Sequence, residues 1–310
     1  MLLRETMDTP RTCLKIDADT FRSHFNLRPF LFSHNLSRHP LFQLPRLVKL
    51  AKTLDRSYVD YNAGRIPVSL PNWQDAPHTG LTAEETIHNT AEICSWMELK
   101  RAEHCPDFKR LLDACLDEIA PLSEPIEPGM CEREAAVFVS SPGSVTPYHM
   151  DHEVNFLLQL RGAQTVSVFK ADDAAVLSEE ELEEYFSGPA IHRNMRFAEA
   201  YQERATVFEL REGHGLHIPT TAPHWVKHGD TVSISFSASF KTRASLARGD
   251  VYRMNAVLRQ LGVEPLPWNR SPARDRIKHH AYRALRRAHW LPRPPVAAGE
   301  ADASRAHGNA

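Results

Sequence analysis

The sequence predicts an α+β chain with a mainly β core, a jelly-roll of antiparallel strands flanked by helical segments. Three observations predict it. Between residues 131 and 241, short β-type runs follow one another with few helices between them, which suits an antiparallel sandwich or barrel and not a doubly wound sheet. Residues 231–240 alternate apolar side chains with serine, the clearest period-two signal in the chain. Before and after this stretch, apolar residues recur at helical spacing instead. Four segments follow: a mainly helical N-terminal region packing on the core (1–130), the jelly-roll core (131–241), C-terminal helices (242–291) and a disordered Pro/Ala/Gly-rich tail (292–310).

In chain order, residues 40–51 end in a short amphipathic helix pattern. The loop 71–80, rich in turn formers, is expected to be a connector. Thr82 and Glu85 have capping-box spacing and open a helix expected to run to about Leu99. The next helix spans 107–120, with Phe108, Leu111, Leu112, Cys115 and Ile119 on one stripe, and is expected to stop before Pro121. Residues 135–140 form a β-type run ended by Ser141-Pro142-Gly143. Residues 153–160 are almost continuously apolar, as expected of a strand covered on both faces. Arg161-Gly162 then marks a tight turn into 163–169, a pair that resembles a hairpin. Ser178 is a candidate N-cap for a brief acidic helix ending near Tyr185. Residues 205–210 form a further strand. Helices are expected over 249–261 and 275–291. The second carries Arg276, Lys278, Arg283, Arg286 and Arg287, with only Asp275 opposing them. That basic helix reads as a solvated face, or as half of a homodimer contact through the C-terminal helices, because no series of stacking aromatics interleaves its charges.

Bulk properties exclude several classes. Hydrophobic residues are 42% and charged residues 25% of 310, an ordinary globular composition, and the formal net charge of -2 gives no global attraction to nucleic acid or anionic membrane. No apolar run resembles a signal peptide or a membrane span, so a cytoplasmic protein is expected. The five cysteines lack any Cys-x-x-Cys pair, which gives no support to a zinc ribbon or a disulfide framework.

The candidate chemistry lies in two stretches. In the first, His149 and Asp151 are two apart, so on an extended chain they leave the same face while Met150 points away. In the second, Pro219 and Pro223 bracket a turn that enters a strand at His224. Two histidines and one carboxylate on one face of an octahedral metal leave the opposite positions open, the arrangement of non-haem Fe(II) oxygenases.

Thr146-Pro147-Tyr148-His149-Met150-Asp151, Asn155-Phe156, the Arg161-Gly162 turn, and Ile218-Pro219 followed by His224-Trp225 together resemble the JmjC-type, cupin-like Fe(II)/2-oxoglutarate-dependent dioxygenases, closest to their asparaginyl-hydroxylase-like branch. The resemblance covers roughly residues 132–241. It implies a double-stranded β-helix of cupin type, Fe(II) and 2-oxoglutarate as cofactor and cosubstrate, and His149, Asp151 and His224 as catalytic iron ligands. It also implies that Thr146 donates to the distal carboxylate of 2-oxoglutarate and that Asn155 lies beside the metal. The implied reaction decarboxylates 2-oxoglutarate to succinate and hydroxylates a protein side chain or small molecule, with no membrane or nucleic acid as partner.

Gln164 departs from the family pattern. It stands where the family usually carries a lysine for the distal carboxylate, and a neutral amide makes a bond about half as strong as a charge-assisted one. Lys170, Lys227 and Lys241 are the nearest substitute cations in sequence. Among the other nearby histidines, His152, His192, His214, His217 and His228, His152 is expected on the opposite strand face from Asp151. Two rival functions remain. One is a cupin holding iron, manganese or zinc without 2-oxoglutarate, which Gln164 keeps open. The other is a non-enzymatic binding or regulatory protein on the same fold, against which the full ligand set argues.

Overall fold

The computed structural model describes residues 12–188 and 193–291. The tail expected to be disordered, and His192, lie outside the described residues. The N-terminal part contains β1 (Leu14–Lys15), α1 (Ala18–His24), β2 (Phe30–His34), α2 (Leu44–Thr53), β3 (Val59–Ala63), α3 (Ala83–His88), β4 (Ser95–Leu99) and α4 (Pro106–Ser123). The central part contains β5 (Cys131–Ser140), β6 (Val145–His149), β7 (Val154–Arg161), β8 (Ala163–Val168), α5 (Glu179–Ser187), β9 (Thr206–Arg211), β10 (His214–Ile218), β11 (His224–His228) and β12 (Ser233–Lys241). Two helices close the described chain, α6 (Arg243–Gln260) and α7 (Pro272–Arg287).

Strands β5 to β12 form a jelly-roll of two facing antiparallel sheets, β10-β7-β12-β5 and β6-β11-β8-β9. The first is widened at both edges, by β2 and β1 beside β10 and by β4 and β3 beside β5, to give eight strands. The N-terminal region does not only pack on the core with helices; it supplies four strands to the same sheet. Pairing the outer edges removes exposed ladder groups that would otherwise template association.

The alternation in β12 sorts the two faces of the wide sheet. Ile234, Phe236, Ala238 and Phe240 face outward into the largest buried cluster, which Phe21, Phe42, Leu47, Phe108 and Leu112 of the N-terminal segment complete. Phe42 packs between Phe236, tilted to it, and Phe108, edge-on to it, with ring centroids at 5.4 and 5.8 Å. The serines face the barrel interior, where Ser235 reaches Gln164 of the opposite sheet. Leu157, Val166, Val168, Leu210, Leu216, Ile218 and Val226 fill another part of the interior.

Four local expectations change. The capping box of α3 forms as read, with Thr82 and Glu85 bonded reciprocally, but the helix ends at His88. Met97 and Leu99 belong to the outer core while Trp96 pairs with Ser140 inside, a period-two burial that only a strand provides, so 95–99 is β4. Helix α4 runs through Pro121 to Ser123. The carbonyl that loses its partner there belongs to exposed Asp117, where solvent satisfies it. The Arg161-Gly162 turn is not a hairpin: β7 pairs with β10 and β12, β8 with β11 and β9, and the turn is a corner between sheets. Gly162 is required there, with φ +73° and Val232 O only 2.5 Å from where a Cβ would lie. Helix α6 begins at Arg243, six residues earlier than expected, because Thr242 and Ser245 cap it.

The loop 71–80 does more than connect. Trp73 packs edge-on against Trp96, centroids 4.8 Å apart, and Ala76 joins Ile66, Leu70 and Val145 in a small cluster along the barrel's side. Helix α5 is capped by Ser178 as expected, and its Phe186 stacks on Tyr252 of α6 at 5.4 Å. On α7 the arginines Arg276, Arg283, Arg286 and Arg287 are exposed, while Asp275, Lys278 and Tyr282 face inward. No helix among the described residues is long and apolar enough to cross a membrane.

Candidate metal centre

Neighbouring strands of the narrow sheet set the two histidines opposite each other. His149 ends β6, His224 opens β11, they are register partners, and their ring centroids are 4.1 Å apart. Each imidazole is oriented by its own backbone. His149 Nδ1–H donates to Pro147 O at 2.7 Å and His224 Nδ1–H to Ala222 O at 3.0 Å. Donation from Nδ1 fixes the tautomer and leaves both Nε2 lone pairs for a metal.

Asp151 follows β6 directly, and its backbone carbonyl accepts from Thr221 N at 2.9 Å, which ties it to the turn before His224. Its Oδ2 lies 3.8 Å from His224 Nε2. One ligand atom from each of His149, Asp151 and His224 lies within 4.8 Å of the other two. The three side chains thus meet as expected, and the donor set fits a divalent transition metal.

The surroundings hold the carboxylate. Arg193 Nη1 donates to Asp151 Oδ1 at 2.7 Å and to Glu153 Oε2 at 3.1 Å. Asn155 Nδ2 donates to Asp151 Oδ2 at 3.4 Å, and Asn155 Oδ1 accepts from Ser237 Oγ at 2.8 Å. Burial pushes the Asp151 carboxyl up, but Arg193, His149 and His224 outweigh it and hold it well below the usual carboxylate range. Burial also pushes the carboxyl of Glu98, on the inner face of β4, upward, and the charges of Arg193 and Asp151 act on it. Tyr185 of α5 donates to Met150 O at 2.7 Å and brings that helix against the site.

Thr146 and Gln164 belong to a second polar cluster inside the barrel. Trp96 Nε1–H donates to Thr146 Oγ1 at 2.9 Å, and the same oxygen lies 3.3 Å from His228 Nε2. Gln164 and His228 are register partners on β8 and β11. Gln164 Oε1 lies 3.4 Å from Ser235 Oγ, whose hydroxyl also has Gln159 Oε1 as an acceptor at 3.1 Å. Gln164 Nε2 and His228 Nδ1 are both buried without a partner.

The remaining residues sort by strand face. His217 points outward among Phe25, Phe30 and Phe156, where Nε2 accepts from Asn26 N and Nδ1–H donates to Asn155 O. His152 stacks on Tyr185 at 4.3 Å, away from the ligands as expected, and His214 is exposed. None of the substitute lysines enters the cluster. Lys170 is exposed, Lys227 donates to Gly143 O on the outside of β11, and Lys241 pairs with Glu132 and Glu153. Sequence reasoning missed Arg193, Trp96 and Ser237. Arg193 sits in an irregular segment with no periodic signal, and Trp96 falls in the stretch that the capping box makes helical in expectation. The serines of β12 could have been found, since their alternation puts them all on one face.

A jelly-roll whose inner end gathers two histidines and an aspartate from adjacent strands defines a metal-centre barrel of cupin type. The match to the cupin-like domain family extends over residues 82–245, more than half of the chain, and the chain belongs to that family. A comparison with curated protein sequences finds no match. Among solved structures, Escherichia coli YcfD is similar at 15% identity and a TM-score of 0.49, over 88% of this chain and 68% of that one. The E. coli ribosomal oxygenase YcfD in complex with cobalt and 2-oxoglutarate, and with cobalt and succinic acid, aligns at TM-score 0.44 and 15% identity, over 87% of this chain and 67% of those. The chain spans about two thirds of their length.

Proposed function

We propose that the chain is a cytoplasmic Fe(II)- and 2-oxoglutarate-dependent oxygenase that hydroxylates a protein side chain or a small molecule. One observation carries this: the meeting of His149, Asp151 and His224 within 4.8 Å, with both Nε2 atoms turned free by Nδ1 donation. These residues would hold iron, and Asn155 and Arg193 keep the carboxylate in place. Thr146 and Gln164 would receive the distal end of 2-oxoglutarate. The orphaned Gln164 Nε2 and His228 Nδ1 support that assignment, because buried donors without partners cost about 1–3 kcal/mol each unless a ligand satisfies them. Bound iron would supply oxygen activation coupled to decarboxylation of 2-oxoglutarate. The chain's part is orientation and exclusion of water, to which the loop 71–80 contributes through Trp73.

Anaerobic addition of Fe(II) and 2-oxoglutarate should produce the weak visible charge-transfer band of a ternary complex, absent in His149→Ala. Metal binding without that band would favour a second reading, a metal-binding cupin that does not use this cosubstrate. What keeps the second reading open is the neutral Gln164, since Lys170 is exposed, Lys227 bonds Gly143 O and Lys241 pairs with Glu132 and Glu153. Self-association through α6 and α7 belongs to the same proposal, with exposed Ile277 as the contact, and light scattering would test it.

A further inference from the structure

The interior cluster raises a chemical problem. A dianionic cosubstrate placed there would put a carboxylate among neutral groups, and burying an unpaired carboxylate is far costlier than burying a paired one. Of the side chains bonded in this cluster, Thr146, Trp96, Gln164, Ser235 and Gln159 carry no ionisable proton in the accessible range, and His228 does.

We infer that His228 supplies the positive charge for the far carboxylate of the cosubstrate, taking one proton from solvent as that carboxylate enters. The inference rests on the proposed oxygenase reading and deepens it. The hydrogen bonds allow it. Trp96 Nε1–H occupies one lone pair of Thr146 Oγ1, so the threonine hydrogen is free to donate to His228 Nε2 while the histidine is neutral. The neutral ring then carries its proton on Nδ1, the atom without a partner. A second proton on Nε2 reverses the Thr146 bond: Nε2–H donates to Oγ1, and the threonine hydrogen is released. Thr146 O–H, His228 Nδ1–H and Gln164 Nε2–H are then all available to an anion, and the two nitrogens have no other acceptor among the described residues.

Without the anion, the ring has reason to stay neutral. Burial pushes His228 down to about 3, and the nearby Lys227 charge adds to this. Facing it are Thr146 from β6 and Gln164 from β8, with Trp96 of β4 and Ser235 of β12 behind them, and no carboxylate acts on it among the described residues. A bound carboxylate would be the first negative charge in contact with the ring and would raise its pKa. Between the free and bound values, binding then takes up one proton, and affinity falls as pH rises.

The test uses full-length protein loaded with manganese(II), which permits binding without turnover, titrated calorimetrically with 2-oxoglutarate in buffers of different protonation heat between pH 6 and 8. Expected is an uptake approaching one proton per site at the acid end, with Kd weakening by up to tenfold per pH unit and levelling off once the bound-state value is passed. His228→Asn should lose the uptake and the slope and bind about tenfold more weakly at pH 6, the loss of one charge-assisted contact. Gln164→Lys, which supplies a fixed cation, should also flatten the slope and stands as an independent arm if His228→Asn does not fold. Succinate should show the same slope as 2-oxoglutarate. Equal proton uptake in wild type and His228→Asn, or a pH-independent wild-type Kd, overturns the role of His228 and leaves the oxygenase reading standing. Manganese binding with no 2-oxoglutarate binding at any pH overturns both.

Discussion

Asn155 shows how one side chain can position a carboxylate of the candidate metal centre from the strand behind it. Its amide donates to Asp151 Oδ2 and its oxygen accepts from Ser237, so the carboxylate is aimed from β12 through β7. Asn155→Ala removes both bonds and leaves Ser237 without its acceptor. Loss of such an outer partner typically weakens metal affinity about 10–100-fold. Competition against a chelator of known affinity should show a weakening in that range, and a change of less than about twofold would mean that Arg193 alone positions Asp151. The convergence of His149, Asp151 and His224 was legible in the sequence because strand geometry puts i and i+2 on one face and prolines mark the turn into His224. Arg193 and His228 were not. Arg193 comes from an irregular segment, and His228 gains its meaning from Gln164 opposite it, a pairing that depends on strand register.

At the scale of elements, the corner at Gly162 separates the two sheets. With φ +73° and a carbonyl oxygen 2.5 Å from the Cβ position, Gly162→Ala combines a left-handed strain with a clash, and should lower the unfolding free energy by about 1–3 kcal/mol. Gly143→Ala is the control: its φ is also positive, at +69°, but nothing lies within 4 Å, so only the conformational cost of about 1 kcal/mol applies. Denaturant melts of both would decide, and equal losses would show that the approach to Val232 is not what requires glycine. Why the hairpin expectation failed is clear from this corner. A Gly-containing turn between two apolar runs has the same local chemistry whether the chain doubles back or crosses to another sheet. The 82–99 helix failed for a related reason: its capping box correctly marked a start, but the stop was set by pairing of Trp96 and Met97 with β5, a contact 42 residues or more away in sequence.

Across the whole molecule, buried histidines tie stability to pH. Burial pushes His34 down to about 4 and His217 down to about 3, against an ordinary value near 6.5. Both lie outside the metal centre. Because the folded pKa values are depressed, the unfolded chain binds more protons as pH falls below about 6.5, so stability is full above that pH and declines toward the folded values, by up to about 1.4 kcal/mol per pH unit for each histidine. The urea midpoint should therefore be lower at pH 5 than at pH 7, and an unchanged or higher midpoint would count against neutral burial of these rings. The jelly-roll itself could be read in advance from its alternating runs. The widening of its sheet by the N-terminal strands could not, since β1 to β4 are two to five residues long and are defined by their neighbours.

The division of labour along β12 has an evolutionary consequence. Phenylalanines on its outward face cement the strand to the helices, while the intervening serines look onto the ligand chamber. Foldedness and chemistry are thus written on alternate letters of the same word. Mutational drift can revise what the chamber accepts without eroding the layer that keeps the molecule whole.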